Sequence, residues 1–257
     1  MSDATLLGGA SLGLAGAVLL ALAGWRTARR ATTPEASALR AFAAFWLGAA
    51  AYAAADATWT LLHLAGLRTL PIDLAIQQAK LLSLCGSFAG LVCYLLVIFT
   101  GRPGARWLVG AGYVGLVGAW ATYLGWRGPI GHHENEWSLV LDFARPQVAP
   151  VWAALVVLLL GPPLLAALGY ASLLRLARDR DARRRVLLTS GSLVLFFVPE
   201  ILVVLNGPTP TWRLVEHFLG LVAAAGIFAA TRPARGEPDH HERARRTALD
   251  ARVRELI

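Results

Sequence analysis

Lysine is almost missing from this chain of 257 residues: Lys80 stands alone among 24 basic residues. Cysteine is as scarce, with only Cys85 and Cys93, and charged residues make up 16%. Soluble domains carry about 25% charged residues, so the deficit argues against an ordinary water-facing surface. The two cysteines share one apolar run, too far apart on a helix to bridge each other, and they lack metal-type spacing. They read as buried thiols. HExxH, GxSxG and P-loop patterns are also missing, so the chain carries no recognised catalytic signature and no enzymatic activity is expected. No cofactor and no metal is expected either.

What is abundant is apolar sequence. Hydrophobic residues reach 56%, and they fall into seven runs: Leu6–Trp25, Ala41–Leu67, Ile72–Thr100, Trp107–Trp126, Val148–Leu176, Val186–Asn206 and Leu214–Thr231. A helix needs about 20 residues to cross a bilayer core. Backbone polar groups in lipid must bond internally, which leaves the helix as the conformation of such runs. The expected fold is an all-α integral membrane protein, a seven-transmembrane-helix bundle. The partner it needs is the lipid bilayer.

The net charge of +8 does not point to nucleic acid, because the arginines collect in every second gap. Arg26, Arg29, Arg30 and Arg40 fill one such gap, then Arg102 and Arg106, then Arg175, Arg178, Arg180 and Arg183–Arg185, then Arg232 and Arg235. The other gaps hold Arg68, Arg127, Arg145 and Arg213, so the ratio is fourteen to four. By the positive-inside rule the expected orientation of this multi-pass chain puts the N-terminus outside and the C-terminus in the cytoplasm. The first run has Asp3 before it and arginines after it, the reverse of a cleaved signal, and is read as a retained span.

Residues 1–232 form the expected membrane domain, and 233–257 a cytoplasmic linker with a short coil-like helix. Leu249, Val253 and Leu256 recur at four and three residues, as in a coiled-coil seam that a homodimer would use; a solvated, half-ordered tail is the other reading. Gly161-Pro162-Pro163 and Pro199 should kink the fifth and sixth runs. Gly8, Gly9, Gly13 and Gly16 suit close helix packing. Between the fourth and fifth runs, Trp137, Leu139, Leu141 and Phe143 alternate with Ser138, Val140 and Asp142, a period of two that predicts a strand or hairpin.

Ionisable residues inside spans are costly and therefore mark sites. In the second run Tyr52, Asp56, Thr60 and His63 share a helical face, and in the third Asp73, Gln77, Lys80 and Ser87 do so. Glu200 lies late in the sixth run, and Glu216 and His217 early in the seventh. With the orientation above, all fall in the outer half of the bilayer. The expectation is a polar cavity open to the outside, lined by Tyr52, Asp56, His63, Gln77, Lys80, Glu200, Glu216 and His217, with Lys80 paired to Asp56 or Glu200. Two readings stay open: a ligand pocket, or charges that neutralise one another to fix helix register. His63 and His217 are a candidate axial pair for haem, and His132-His133-Glu134 for a metal, but neither carries further pattern.

Particular stretches bring a family into view. Leu96-Val-Ile-Phe-Thr-Gly-Arg102 closes the third run, Gly131-His-His133 follows the fourth, and Arg180–Arg185 leads into a sixth that ends at Leu205-Asn-Gly-Pro208. In these and in the order of its runs, the chain resembles the seven-transmembrane-helix N-terminal sensor region of bacterial histidine kinases and related signalling proteins, over about residues 5–232. Val186 stands where that family often has glutamine. The resemblance implies a sensory receptor of a two-component system, with a small or lipid-like ligand and a cytoplasmic output domain or partner protein. It implies no site residues of its own. The alternatives are an intramembrane enzyme or transporter built on the same cluster, or a scaffold that recruits a cytoplasmic partner through Arg175–Arg185.

Overall fold

The computed structural model describes residues 3–31, 37–67, 69–100, 110, 112, 131–134, 139–142, 161–175, 180–206 and 210–232. Among these, helices dominate: α1 (Asp3–Arg30), α2 (Ser37–Leu64), α3 (Leu70–Thr100), α4 (161–173), α5 (Arg180–Asn206) and α6 (Pro210–Ala230). Asp3–Arg30, Ser37–Leu64 and Pro71–Ile98 are each long and apolar enough to cross a membrane, and Leu214–Ala230 is a shorter apolar stretch. The fourth apolar run, apart from residues 110 and 112, and the tail beyond Arg232 lie outside the described residues, so the count of seven, the coil-like seam and the linker fall there too.

The helices do not end where the apolar runs end. α1 continues through Arg29 and Arg30, and α5 begins at Arg180, ahead of the run at Val186. Arginine is a good helix former, which suits both extensions, and Arg29 and Arg30 in the last turn of α1 also complement the helix dipole. α2 stops short of its run instead. Gly66 sits at φ +66°, its N–H reaches His63 O at 3.0 Å and the Leu67 N–H reaches Leu62 O at 3.0 Å. That is a Schellman termination, and it needs a residue that tolerates the left-handed region.

On α1 the buried face is mostly small, with Leu20 the one large apolar residue in it. α1 buries Gly9, Ala10, Gly13, Gly16, Ala17, Ala23 and Gly24, while Leu7, Leu14, Val18, Leu22 and Trp25 are exposed. In lipid no hydrophobic force drives helices together, so association depends on close van der Waals packing and polar contacts. The contacts give the helix directions. Gly24 lies against Leu47 and Gly13 against Ala57, so α1 and α2 are antiparallel. Gly48 lies against Ser87 and Gly90 against Ala41 and Phe45, so α2 and α3 are antiparallel as well. Gly13 meets His217, Gly16 meets Leu221 and Arg26 meets Phe228, so α1 and α6, the first and last helices described, run parallel.

The core between α2, α3, α4 and α5 is aromatic. Phe42 stacks on Tyr94 at 4.5 Å and meets Trp46 edge-on at 5.4 Å; Phe45 meets Trp46 at 4.4 Å, and Phe88 meets Phe197 at 5.5 Å. Such pairs contribute about 0.5–1.5 kcal/mol each beyond area burial. In this layer Ser87 Oγ donates to Phe45 O at 2.7 Å and the Tyr94 and Tyr170 hydroxyls bond each other, whereas the buried Trp46 Nε1 has no partner among the described residues.

α5 runs without interruption through Pro199, and Pro162 and Pro163 lie within the described part of α4; the residues ahead of 161 are outside those described. The predicted hairpin is present: β1 (Gly131–Glu134) pairs antiparallel with β2 (Leu139–Asp142), with His132 opposite Leu141 and His133 opposite Val140.

The α2–α3 crossing yields a test. A Cβ on Gly48 would stand 2.8 Å from Ser87 backbone atoms, and one on Gly90 2.7 Å from Ala41 O and Phe45 N, while Gly86 has open space around it. Gly48→Ala and Gly90→Ala should each destabilise the protein by about 1–3 kcal/mol through overpacking. Gly86→Ala should be neutral. Thermal unfolding in detergent measures all three.

Candidate functional site

The same α2–α3 crossing places the charged cluster. At a rise of 1.5 Å per residue, Asp56 stands about 12 Å beyond Gly48, and Lys80 about 10 Å before Ser87, which brings both to one level. There Lys80 Nζ donates to Asp56 Oδ1, and both residues are buried, at 7% and 3% exposure. The Tyr52 and Trp59 rings lie 5.2 and 5.4 Å from Lys80 Nζ, a separation at which ring faces attract a cation. Trp59 is held in turn, since its Nε1 donates to the buried Asp73 Oδ1 at 2.5 Å.

α6 adds the third side. His217 Nε2 lies 3.6 Å from Asp56 Oδ2, near enough for charge interaction but beyond a direct hydrogen bond. Its ring fits because α1 presents glycine there: a Cβ on Gly13 would stand 3.2 Å from His217 Nδ1, and one on Gly9 3.3 Å from its Cδ2. The neighbouring Glu216 is buried as well. Tyr52, Asp56, Glu216 and His217 line a cavity of about 40 Å³ together with Gly16 and Leu20 of α1 and Phe196 of α5.

This arrangement sets limits on chemistry. Water needs at least about 10–15 Å³ of such space, and drug-sized ligands occupy pockets of about 300–1,000 Å³. The cavity therefore suits a few waters, a small cation or a ligand of a few heavy atoms. Carboxylates from α2 and α6 and an imidazole line one part of it and apolar side chains such as Leu12, Leu20 and Phe196 the rest, so a guest with a polar or cationic group finds acceptors there.

Of the residues singled out from sequence, Tyr52, Asp56, Lys80, Glu216 and His217 come together here. Of the two partners open to Lys80, Asp56 is the one observed. His63 and Gln77 are half-buried on the expected helices but do not line the cavity. Glu200 lies on α5, and its side chain is outside the described residues. Sequence reading missed two features: the Trp59–Asp73 bond and the glycine wall beside His217. A tryptophan buried in a span needs an acceptor for its N–H, which was the available signal for the first. Among the described residues no group of three or more His, Cys, Asp or Glu is placed to hold a metal ion, and the side chains of His132 and His133 are not among them.

No protein-family model matches the chain, and no curated protein matches it.

The ion pair predicts a double-mutant pattern. Asp56→Asn or Lys80→Met alone leaves a buried charge without its partner and should cost about 3–5 kcal/mol. The Asp56→Asn/Lys80→Met double variant should cost much less than the sum. Denaturation of the four proteins in one detergent reads the coupling.

Proposed function

We propose that this chain is a multi-pass sensory receptor module of a bacterial inner membrane, in which a small polar ligand at the Asp56–Lys80–Glu216–His217 cavity alters the packing of α6. The observation that carries the reading is the position of that cavity, where the first and last described helices meet around buried charges contributed by α2, α3 and α6. Structural ion pairs need no cavity beside them, so its presence favours a ligand over a purely register-fixing role. The volume favours the smaller end of the ligand range over a lipid-like molecule.

The helix directions support seven spans. α1 and α3 run one way and α2 the other. α6 is parallel to α1, and the short connections 207–209 and 176–179 make α5 antiparallel to α6 and α4 antiparallel to α5. α3 and α4 then run in the same direction, which supports the reading of the fourth apolar run, between them in the sequence, as a further span. The arginine bias supports an external N-terminus. Cysteines placed in a Cys85→Ala/Cys93→Ala background test this arrangement: Thr69→Cys should react with an impermeant thiol reagent from outside, and Ala31→Cys and Asp181→Cys only after the membrane is opened. Equal labelling at all three would refute the orientation.

In the proposed cycle the cavity is the input, α6 the conductor, and whatever follows Arg232 in the cytoplasm the output. A ligand shifts the equilibrium between two α6 positions only by binding them unequally. The functional test combines thermal-shift screening of small polar and cationic compounds with spin labels on α6. A hit should raise the Tm of the native protein and change the α1–α6 label distance. Asp56→Asn and His217→Ala, checked for folding, should lose both responses. Accumulation of the same compound in proteoliposomes would favour a transporter instead.

A further inference from the structure

A second set of charged groups lies at the other end of the α1–α6 contact, about 20 Å along α1 from Gly13. The Arg26 guanidinium lies 4.1 Å from the centroid of the Phe228 ring, and that of Arg232 lies 5.4 Å from the same centroid. Arg29 stacks on Trp25 at 3.8 Å. Three guanidinium groups are thus held by rings at the end where α6 leaves the bundle. Stacking uses the flat faces of a guanidinium and leaves its N–H edges free. Arg26 Nη1 is buried with no hydrogen-bond partner. Among the described residues, no carboxylate pairs with Arg26, Arg29 or Arg232, and none of these side chains donates to a helix carbonyl.

Two simpler roles fit these facts poorly. Arginines that neutralise helix C-terminal dipoles do so through the last carbonyls, and these do not reach them. Arginines that merely mark the cytoplasmic side stay solvated, whereas Arg26 carries a buried, unused donor. Two like charges gathered on one ring, with forked donors unspent, call for an anion that accepts several hydrogen bonds. A phosphate does so.

We propose that Arg26 and Arg232, seated on Phe228, bind the phosphate of an anionic phospholipid between the ends of α1 and α6. A lipid is favoured over free phosphate by what lies beside the seat. Val18 and Leu22 precede Arg26 at four-residue spacing, so the three share a helix face, and Val18, Leu22 and Trp25 are exposed. An acyl chain lies along that strip while its headgroup meets the guanidiniums. Basic pockets between helices at a cytoplasmic boundary are suited to such headgroups.

The experiment uses the full chain, purified and reconstituted in phosphatidylcholine alone or in phosphatidylcholine mixed with phosphatidylglycerol. Native mass spectrometry reads retained phosphatidylglycerol, and thermal unfolding reads its effect on Tm. The native protein should retain the anionic lipid and gain Tm in the mixture. Arg26→Gln and Arg232→Gln should each weaken retention roughly tenfold or more, as for loss of a charge-assisted hydrogen bond. Arg180→Gln, an exposed arginine at the start of α5, should change neither reading. If Arg26→Gln does not fold, the exposed Arg232 carries the test alone. Retention that survives Arg232→Gln, or that Arg180→Gln reduces equally, would overturn the proposal. So would an equal gain in Tm from inorganic phosphate in phosphatidylcholine, which would assign the seat to a free anion.

Discussion

An ammonium group inside an apolar bundle has to meet a negative charge, and the only lysine of this chain meets Asp56. That one pair fixes much else. It ties α2 to α3 at a single register, because moving either helix by one residue displaces its side chain by about 1.5 Å and 100° around the axis. It draws His217 of α6 toward the remaining carboxylate oxygen. It also explains why two aromatic rings flank Lys80, and why one of them, Trp59, is bonded to Asp73. Removing either charge leaves the other stranded in a medium that solvates ions poorly, so the penalty is carried by the whole α2–α3–α6 junction.

The glycines of α1 belong to the same device. In lipid, helices gain little from hiding apolar surface and must touch closely to gain anything. Gly13 meets both Ala57 of α2 and His217 of α6 at contact distance. A larger residue there would displace the imidazole next to Asp56 as well as separate the helices. Close packing and charge placement are therefore not independent features of this bundle; one glycine face serves both.

This interdependence explains what could and could not be read from the chain. Helical spacing put Tyr52 and Asp56 on one face of the second run and Lys80 on one face of the third, and the cost of an unpaired charge narrowed the partners of Lys80 to two. Spacing within one helix does not say which neighbouring helix a face meets. The approach of Gly13 to His217 and the bond from Trp59 to Asp73 are relations between helices and were invisible for that reason. Helix ends were poorly legible too, because arginine-rich turns extend α1 and α5 beyond the apolar runs, whereas Gly66 halts α2 inside one. The alternating hairpin residues were readable because a period of two survives without knowledge of neighbours. Amphipathicity gave little help with α1, where small residues make up most of the buried face.

The size of the cavity bears on how a receptor of this form would couple input to output. A guest that already fits about 40 Å³ meets the same space whether or not α6 moves, so volume alone gives it no preference between states. It must discriminate through charge, by strengthening or weakening the attraction between Asp56 and His217. A larger guest can enter only a state in which α6 has moved away from Gly13, and its binding energy is then tied to that movement. Because α1 and α6 are parallel and packed along their length, a shift at His217 reaches Phe228 and Arg232 as a displacement of the same helix. A phosphate held there by Arg26 and Arg232 opposes separation of the two helix ends. Under the two proposals, the lipid would set the resting position from one end and the cavity guest would act from the other, with α6 as the element both bias.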